Sequence, residues 1–287
     1  MTFHAILVPY DLDTLRHGSG AGPEALASHG ALEGLAVAGT TVIDLPSLRY
    51  GETGLPSRGS SQVQQCIAID AAIARVVRPV SDGGAIPIVL SGNCHACLGT
   101  LSGLGTRASI IWFDAHGDLN TPETTETGYF DGMALATALG WGWTAMSRQI
   151  PGFSAADEID ALLVGGRDLD AGERRLLEQS RVRHHAPAAL ADRISSNLEH
   201  ALSGPQPHRA YVHLDLDVID PSVMRANRFD APGGVTVAWL EAALGEVRRR
   251  HEIAAVGVTA YDPSYTAPAI AAPIVNRLLR ALLHTGP

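Results

Sequence analysis

Two short acidic segments hold the residues best suited to chemistry: Asp114-Ala-His116-Gly-Asp118-Leu-Asn120 and, about a hundred residues later, His213-Leu-Asp215-Leu-Asp217-Val-Ile-Asp220-Pro221. The first follows the apolar run Ser109-Ile110-Ile111-Trp112-Phe113, which reads as a buried parallel strand. In the second, Val212, Leu214, Leu216 and Val218 alternate with His213, Asp215 and Asp217, and period 2 puts Asp215 and Asp217 on one face. Carboxylates crowded into apolar surroundings repel each other and lose hydration, so they need raised pKa values or cations. Four aspartates and a histidine favour the cation. Oxygen donors with one imidazole suit Mn²⁺ or a similar borderline divalent ion, and carboxylates can bridge two ions roughly 3.5–4 Å apart. A lone Asp-x-Asp usually marks a turn or helix cap, but two such clusters, each ending a strand, argue for metal.

The elements that must position these residues alternate. Strands are predicted at Ala5–Val8, Thr41–Leu45, Ile86–Leu90, Ser109–Phe113, Ala161–Val164, Tyr211–Val218 and Ala254–Thr259. Helices are predicted at Pro23–Ala36, Ser61–Val80, Met133–Leu139, Gly172–Gln179, Val237–His251 and Ala269–His284. This order implies a mostly parallel sheet with helices on both faces, and chemistry just beyond the carboxyl ends of its strands. Asn93-Cys94-His95, Asp114, Arg167-Asp168-Leu169-Asp170 and Asp262 all fall there.

At 287 residues, 46% hydrophobic and 18% charged, the chain has material for a sizeable core, and no stretch divides it, so residues 1–287 read as a single domain. No run is long enough to span a bilayer, and the N-terminus lacks signal-peptide character, so a cytoplasmic location is expected. A net charge of −9 without a basic stripe argues against nucleic acid. The Arg248-Arg249-Arg250 cluster ends a predicted helix, where cations complement its dipole. Three cysteines, Cys66, Cys94 and Cys97, are too few for a disulfide framework.

With these residues in place, the chain resembles the arginase or ureohydrolase family. Asp114-Ala-His-x-Asp118-x-Asn120-Thr-Pro and Asp215-x-Asp217-x-x-Asp220-Pro are similar to two of its signature segments, in the same order and separation; Val8-Pro9-Tyr10-Asp11 and Gly22-Pro23-x-x-Leu26 are similar to its first strand and loop. The resemblance implies a three-layer α/β sandwich with about eight mostly parallel strands and two Mn²⁺ ions. Asp114 and Asp215 would bridge both ions, Asp118 would complete the first ion's set, and His116 with Asp217 would hold the second. A hydroxide between the ions would attack a guanidinium carbon while Asp118 accepts its hydrogen bond. Asn120, Thr125 and Thr127 would contact an α-carboxylate, and Asp170 and Glu173 an α-amino group. The implied partner is a small guanidino amino acid, and homo-oligomers are common in the family.

Three departures bear on substrate and metal. Where the family has Gly-Gly-Asp-His-Ser, this chain reads Ser91-Gly92-Asn93-Cys94-His95; without gaps Cys94 takes the metal-binding histidine's place, whereas a one-residue shift would bring in His95. A thiolate is softer than imidazole and would change the metal preference, so another divalent ion could fill the Cys94 site. The same Cys occurs in the branch that hydrolyses Nω-hydroxy-L-arginine. Asp131 stands where arginases carry a proton-shuttling histidine. For the acid that grips the guanidino end, alignment on Gly257 selects Asp262 and alignment on Pro263 selects Ala260. The expected reaction is hydrolysis of a guanidino or hydroxyguanidino amino acid to ornithine plus urea or hydroxyurea, with Asp118, Asp131 and Asp262 as the catalytic candidates. Alternatives are an agmatinase-like or formimidoylglutamase-like hydrolase, a single-zinc amidohydrolase of the related deacetylase fold, a Cys94-x-x-Cys97 redox pair, or a metal-dependent amino-acid-binding protein without turnover.

Overall fold

The computed structural model describes residues 1–45, 58–190, 193–203 and 208–283. Among these, eight strands form one sheet: β1 (Phe3–Val8), β2 (Val37–Val42), β3 (Ile86–Ser91), β4 (Ser109–Phe113), β5 (Ala161–Val164), β6 (Arg183–His185), β7 (Arg209–Asp215) and β8 (Glu252–Thr259). Their order is β2-β1-β3-β8-β7-β4-β5-β6, and every pairing in it is parallel. All carboxyl ends therefore meet at one rim, and the central neighbours β3, β8, β7 and β4 deliver Cys94, Ala260, Asp215 and Asp114 side by side.

The inner strands β3, β8, β7, β4 and β5 are mostly apolar because both of their faces are covered. On one face, Ile111, Phe113, Val212, Leu214, Val256 and Val258 pack with Trp239, Leu240 and Leu244 of α5 (Val237–Arg250) and with Val275, Leu278 and Leu282 of α6 (Pro268–Leu283). α1 (Gly22–Ser28) adds Leu26 to that face. On the other, Ile110, Trp112, Leu163 and Tyr211 pack against Ile69, Ile73 and Val77 of α2 (Arg58–Asp82) and Leu98 of α3 (Ala96–Leu104). The expected three-layer α/β architecture is thus present. Among the described residues, no helix is long and apolar enough to cross a membrane.

Several expected boundaries move. The first helix, expected over Pro23–Ala36, stops at Ser28 because Gly30 adopts φ +92° and the Ala31 amide turns back to the Leu26 carbonyl. The second strand is Val37–Val42 rather than Thr41–Leu45, as pairing with Phe3–Leu7 of β1 sets its register. The expected Tyr211–Val218 strand ends at Asp215, whose carboxylate accepts the Asp217 amide at 2.8 Å and starts a 3₁₀ turn over Leu216–Val218. Asp217 therefore reaches the rim from a turn, not from strand alternation. The Met133–Leu139 helix begins as a 3₁₀ turn, Asp131–Met133, followed by a short helix, Ala134–Ala138. Strand β6 was not expected; its Arg-His-His sequence lies at the sheet edge and carries no apolar pattern. His284, the expected end of the last helix, lies outside the described residues.

α3 carries the Cys94 loop and lies close against α2. A Cβ on Gly99 would fall 2.4 Å from the Asp70 carbonyl oxygen and 2.7 Å from Ile73 Cβ, so the two helices could not hold this separation with a side chain there. We expect Gly99→Ala to lower unfolding free energy by about 1–3 kcal/mol, the usual range for overpacking. Urea denaturation would show this as a lower midpoint at unchanged slope; an unchanged midpoint would mean that the helices have room to separate.

Candidate metal centre and substrate cavity

A cavity of about 270 Å³ opens at the rim and is lined by Asn93, Cys94, Asp114, His116, Asp118, Asn120, Asp131, Asp170, Glu173, Asp215, Asp217 and Ala260. Asp114 and Asp215 stand at the same level because β4 and β7 are in register through Phe113 and Leu214. Asp114 accepts the His116 amide at 2.7 Å and the Trp112 indole N–H at 3.0 Å. Asp217 accepts the Ala115 amide at 3.2 Å and the Asn227 side-chain amide at 3.2 Å. His116 Nδ1 lies 3.4 Å from both Asp114 and Asp217.

Among the described residues, two sets of donor atoms each fall within 4.8 Å of one another: Cys94, Asp114, His213 and Asp215, and Asp114, His116 and Asp217. Asp114 belongs to both, as a bridging carboxylate would. Asp215 joins only the first set, and Asp118 joins neither, although it lines the cavity. Asp118 Oδ2 is buried without a hydrogen-bond partner, and its backbone holds a left-handed φ of +49°. Such an orphaned carboxylate oxygen, costly when uncompensated, fits a site completed by a cation.

The electrostatics agree. Burial, with the Asp217 charge, pushes Asp114 up to about 6. Burial and neighbouring aspartates hold Asp118 and Asp215 well above the ordinary carboxylate range. Burial also pushes Asp217 upward, but the His116 charge and its hydrogen bonds outweigh this and hold it below that range. Without cations, then, protons must fill the cluster. Four carboxylates, an imidazole and a thiol form a donor set that suits two divalent ions.

Cys94 faces this cluster, its thiol donating to Asp215 Oδ2 at 3.1 Å. His95 turns the other way, into a buried ion pair with Asp70 of α2 at 3.1 Å. The alternative in which His95 takes the ligand position thus finds no support in the geometry. Cys97 is buried on α3, and no disulfide joins the three free cysteines. Asp131 is pinned at the cavity wall by the His95 amide at 2.9 Å and the Asn93 side-chain amide at 2.7 Å.

On the outer side, Asn120 donates to Asp170 at 2.8 Å, and Asp170 caps α4 (Ala171–Gln179) in a capping box with Glu173. Glu173 also accepts the Leu119 amide at 3.1 Å, tying the helix to the Asp118 loop. Thr125 and Thr127 do not line the cavity; their hydroxyls accept the Gly128 and Tyr129 amides and brace the loop. Asp262 does not line it either. Its carboxylate accepts the Ser264 amide and hydroxyl in a local turn, and Ala260 occupies the cavity wall instead. Alignment on Pro263 therefore describes this wall, and the expectation of an acid there from Asp262 is corrected. Tyr129, Phe229 and Asn227 line the cavity without a sequence signal, whereas His213 is foreshadowed by its alternation with Asp215.

The sequence profile of the arginase family matches residues 2–284, so the chain belongs to the arginase family. An arginase from Bacillus caldovelox is 34% identical over 238 residues, 79% of this chain and 77% of its own. An N(omega)-hydroxy-L-arginine amidinohydrolase from Streptomyces lavendulae is 32% identical over 164 residues, 56% of this chain and 55% of its own. The solved structure of the Bacillus caldovelox arginase superposes with a TM-score of 0.82 at 26% identity, covering 100% of this chain and 99% of that one. The family consists of binuclear metal-dependent hydrolases of C–N bonds in linear amidines, and this chain is a hydrolase of that class.

The raised carboxylates set a pH dependence for the metal-free protein. A group whose folded pKa lies above its unfolded value stabilises below the unfolded value and loses that contribution as pH rises through the folded one. Asp114, Asp118, Asp215 and His116 all shift upward, while the contribution of the depressed Asp217 is already complete above the carboxylate range. Chelated protein should therefore lose stability from about pH 5 to about pH 8, and a divalent cation should reverse the trend by replacing protons. Thermal unfolding at both pH values would show this; a Tm that rises with pH without metal would contradict it.

Proposed function

We propose that the chain hydrolyses the hydroxyguanidino group of Nω-hydroxy-L-arginine, giving ornithine and hydroxyurea, in preference to arginine. The observation that carries this is Ala260. At the end of β8, where a carboxylate would grip a cationic guanidinium, the cavity offers a methyl group. A guanidinium stays charged at any ordinary pH, so a pocket that selects it gains from an opposing charge. A hydroxyguanidine is much less basic and gives up its charge far more readily, so it depends less on such a partner.

Asp131 supports the same choice. Held by Asn93 and His95, it replaces a histidine acid with a carboxylate, which suits a substrate that needs less help in protonating its leaving nitrogen. At the other end of the cavity, which Asp170 and Asn120 line, Asp170 would accept an α-ammonium and Asn120 would donate to an α-carboxylate. The Thr125 and Thr127 hydroxyls accept the Gly128 and Tyr129 amides, which supports a bracing part for them in the loop.

Two divalent cations, Mn²⁺ or a softer relative at the Cys94 side, supply when bound a lowered pKa for water and polarisation of the attacked carbon. Asp118, at the cavity wall, accepts the hydrogen bond of the attacking water. Tyr129 and Phe229 add aromatic surface to the cavity wall.

Metal-loaded protein should turn over Nω-hydroxy-L-arginine with a kcat/KM at least about tenfold above that for L-arginine. Ala260→Glu should raise the arginine value by about tenfold, chiefly through KM, and leave hydroxyarginine unimproved. Ornithine, urea and hydroxyurea are the readouts. Equal or better arginine turnover by the unaltered chain would refute the preference, and turnover of agmatine alone would move the reading to a substrate without an α-carboxylate.

A further inference from the structure

We propose that His213 is a ligand of the first cation, so that this ion is held by the Cys94 thiolate, the His213 imidazole and the carboxylates of Asp114 and Asp215. The inference rests on the binuclear reading of the site and assigns a ligand that the family resemblance does not.

His213 lies two residues before Asp215 on β7, hence on the same face of the strand, and it is fully buried. Its Nε2 lies 3.2 Å from the Thr259 hydroxyl. That hydroxyl is also 3.4 Å from Cys94 Sγ and 3.4 Å from Asp215 Oδ2. The inner nitrogen thus faces the point where the thiol and the carboxylate converge, and the four donor atoms close a set within 4.8 Å that does not include Asp118.

The other nitrogen is prepared for this role. Nδ1 lies 2.9 Å from the Tyr211 hydroxyl, so an Nδ1–H donating to that oxygen leaves the Nε2 lone pair inward. Metal-binding imidazoles are oriented in the same way, by a partner on the far nitrogen. The ring is fixed flat against Trp112, with centroids 3.5 Å apart and planes 4° from parallel, because the two residues are paired across β4 and β7. Gly257 on the adjacent β8 makes room for the arrangement, since a Cβ there would fall 2.4 Å from the Tyr211 hydroxyl.

The replacement at Cys94 then reads differently. An imidazole is lost from the β3 end and one is supplied from β7, so the imidazole count is kept while a thiolate joins the set. One thiolate, one imidazole and two carboxylates favour Zn²⁺ or Co²⁺ over Mn²⁺ at this ion. The second ion, with His116, Asp217 and the shared Asp114, keeps the oxygen-rich character that suits Mn²⁺.

The test uses the full chain stripped of metal and reloaded with Co²⁺ alone, compared with His213→Ser. In the unaltered protein, hyperfine-shifted proton NMR should show two exchangeable imidazole N–H signals, and the near-ultraviolet spectrum a thiolate-to-cobalt band. His213→Ser should lose one of the two signals and weaken the thiolate-bearing ion by more than about tenfold, the scale set even by outer-shell partners, while the other ion stays. Two bound ions with a single imidazole signal in the unaltered protein would overturn the His213 assignment alone, a result that does not depend on whether the variant folds. No cobalt binding at all would overturn the binuclear reading with it. A His213→Ser variant with both affinities and the thiolate band unchanged would leave the histidine as a packed core residue.

Discussion

Everything at the rim answers to one constraint: Asp114, Asp118, Asp215 and Asp217 are like charges buried together at the ends of adjacent strands. Their mutual repulsion and lost hydration would disrupt the site unless balanced by fixed dipoles, protons or cations. The fold supplies part of the balance. Backbone amides of Ala115, His116 and Asp217 point at the carboxylates, and each is placed by the strand-to-turn transition that follows β4 or β7. Arg167, on the loop after β5, donates to the carbonyls of Asp217 and Val218 and to that of Ala231. Its half-buried cation therefore stands behind the turn that carries Asp217. What the fold leaves unbalanced, including Asp118 Oδ2, is what divalent ions would neutralise.

A second layer of charge holds the Cys94 loop. Asp70 and His95 are both fully buried between α2 and α3, and a pair in such a place is costly unless each partner has the other. The His95 side chain pairs with Asp70 while its backbone amide faces the cavity and fixes Asp131, and the preceding residue, Cys94, turns toward Asp215. Neighbouring positions thus serve opposite layers: one residue faces the metal site and the next anchors the helix beneath it. Gly99 lets α3 come close enough to α2 for the anchor to reach.

The parallel sheet and its helical layers were legible from the sequence because buried strands are continuous apolar runs bounded by polar turns, a pattern that local composition reports directly. The two acidic segments were equally legible, since residue type and spacing alone place them at strand ends. What stayed hidden depended on register and on choices between neighbours. Asp215 and Asp217 looked like strand alternation, but the Asp215 carboxylate captures the Asp217 amide and ends the strand. β6, three polar residues at the sheet edge, has no hydrophobic period to reveal it. Thr125 and Thr127 match a substrate-contacting pattern, yet their hydroxyls close their own loop, a competition between local and distant hydrogen bonds that spacing cannot rank.

The wall beyond β8 is tied to the buried carboxylates through a single side-chain amide. Ala260 sits at φ +61°, a left-handed conformation that a residue other than glycine holds only when its surroundings impose it. Asn227 provides that imposition: its side-chain amide donates to the Ala260 carbonyl at 2.9 Å and to Asp217 Oδ2 at 3.2 Å. The same sharp turn sends Asp262 away from the cavity into its bonds with Ser264. The absence of a carboxylate at this wall therefore follows from backbone direction as much as from the identity of residue 260. Restoring charge by lengthening Asp262 would leave it facing the wrong side, whereas position 260 already lines the cavity and is clamped, through Asn227, to a carboxylate of the second donor set.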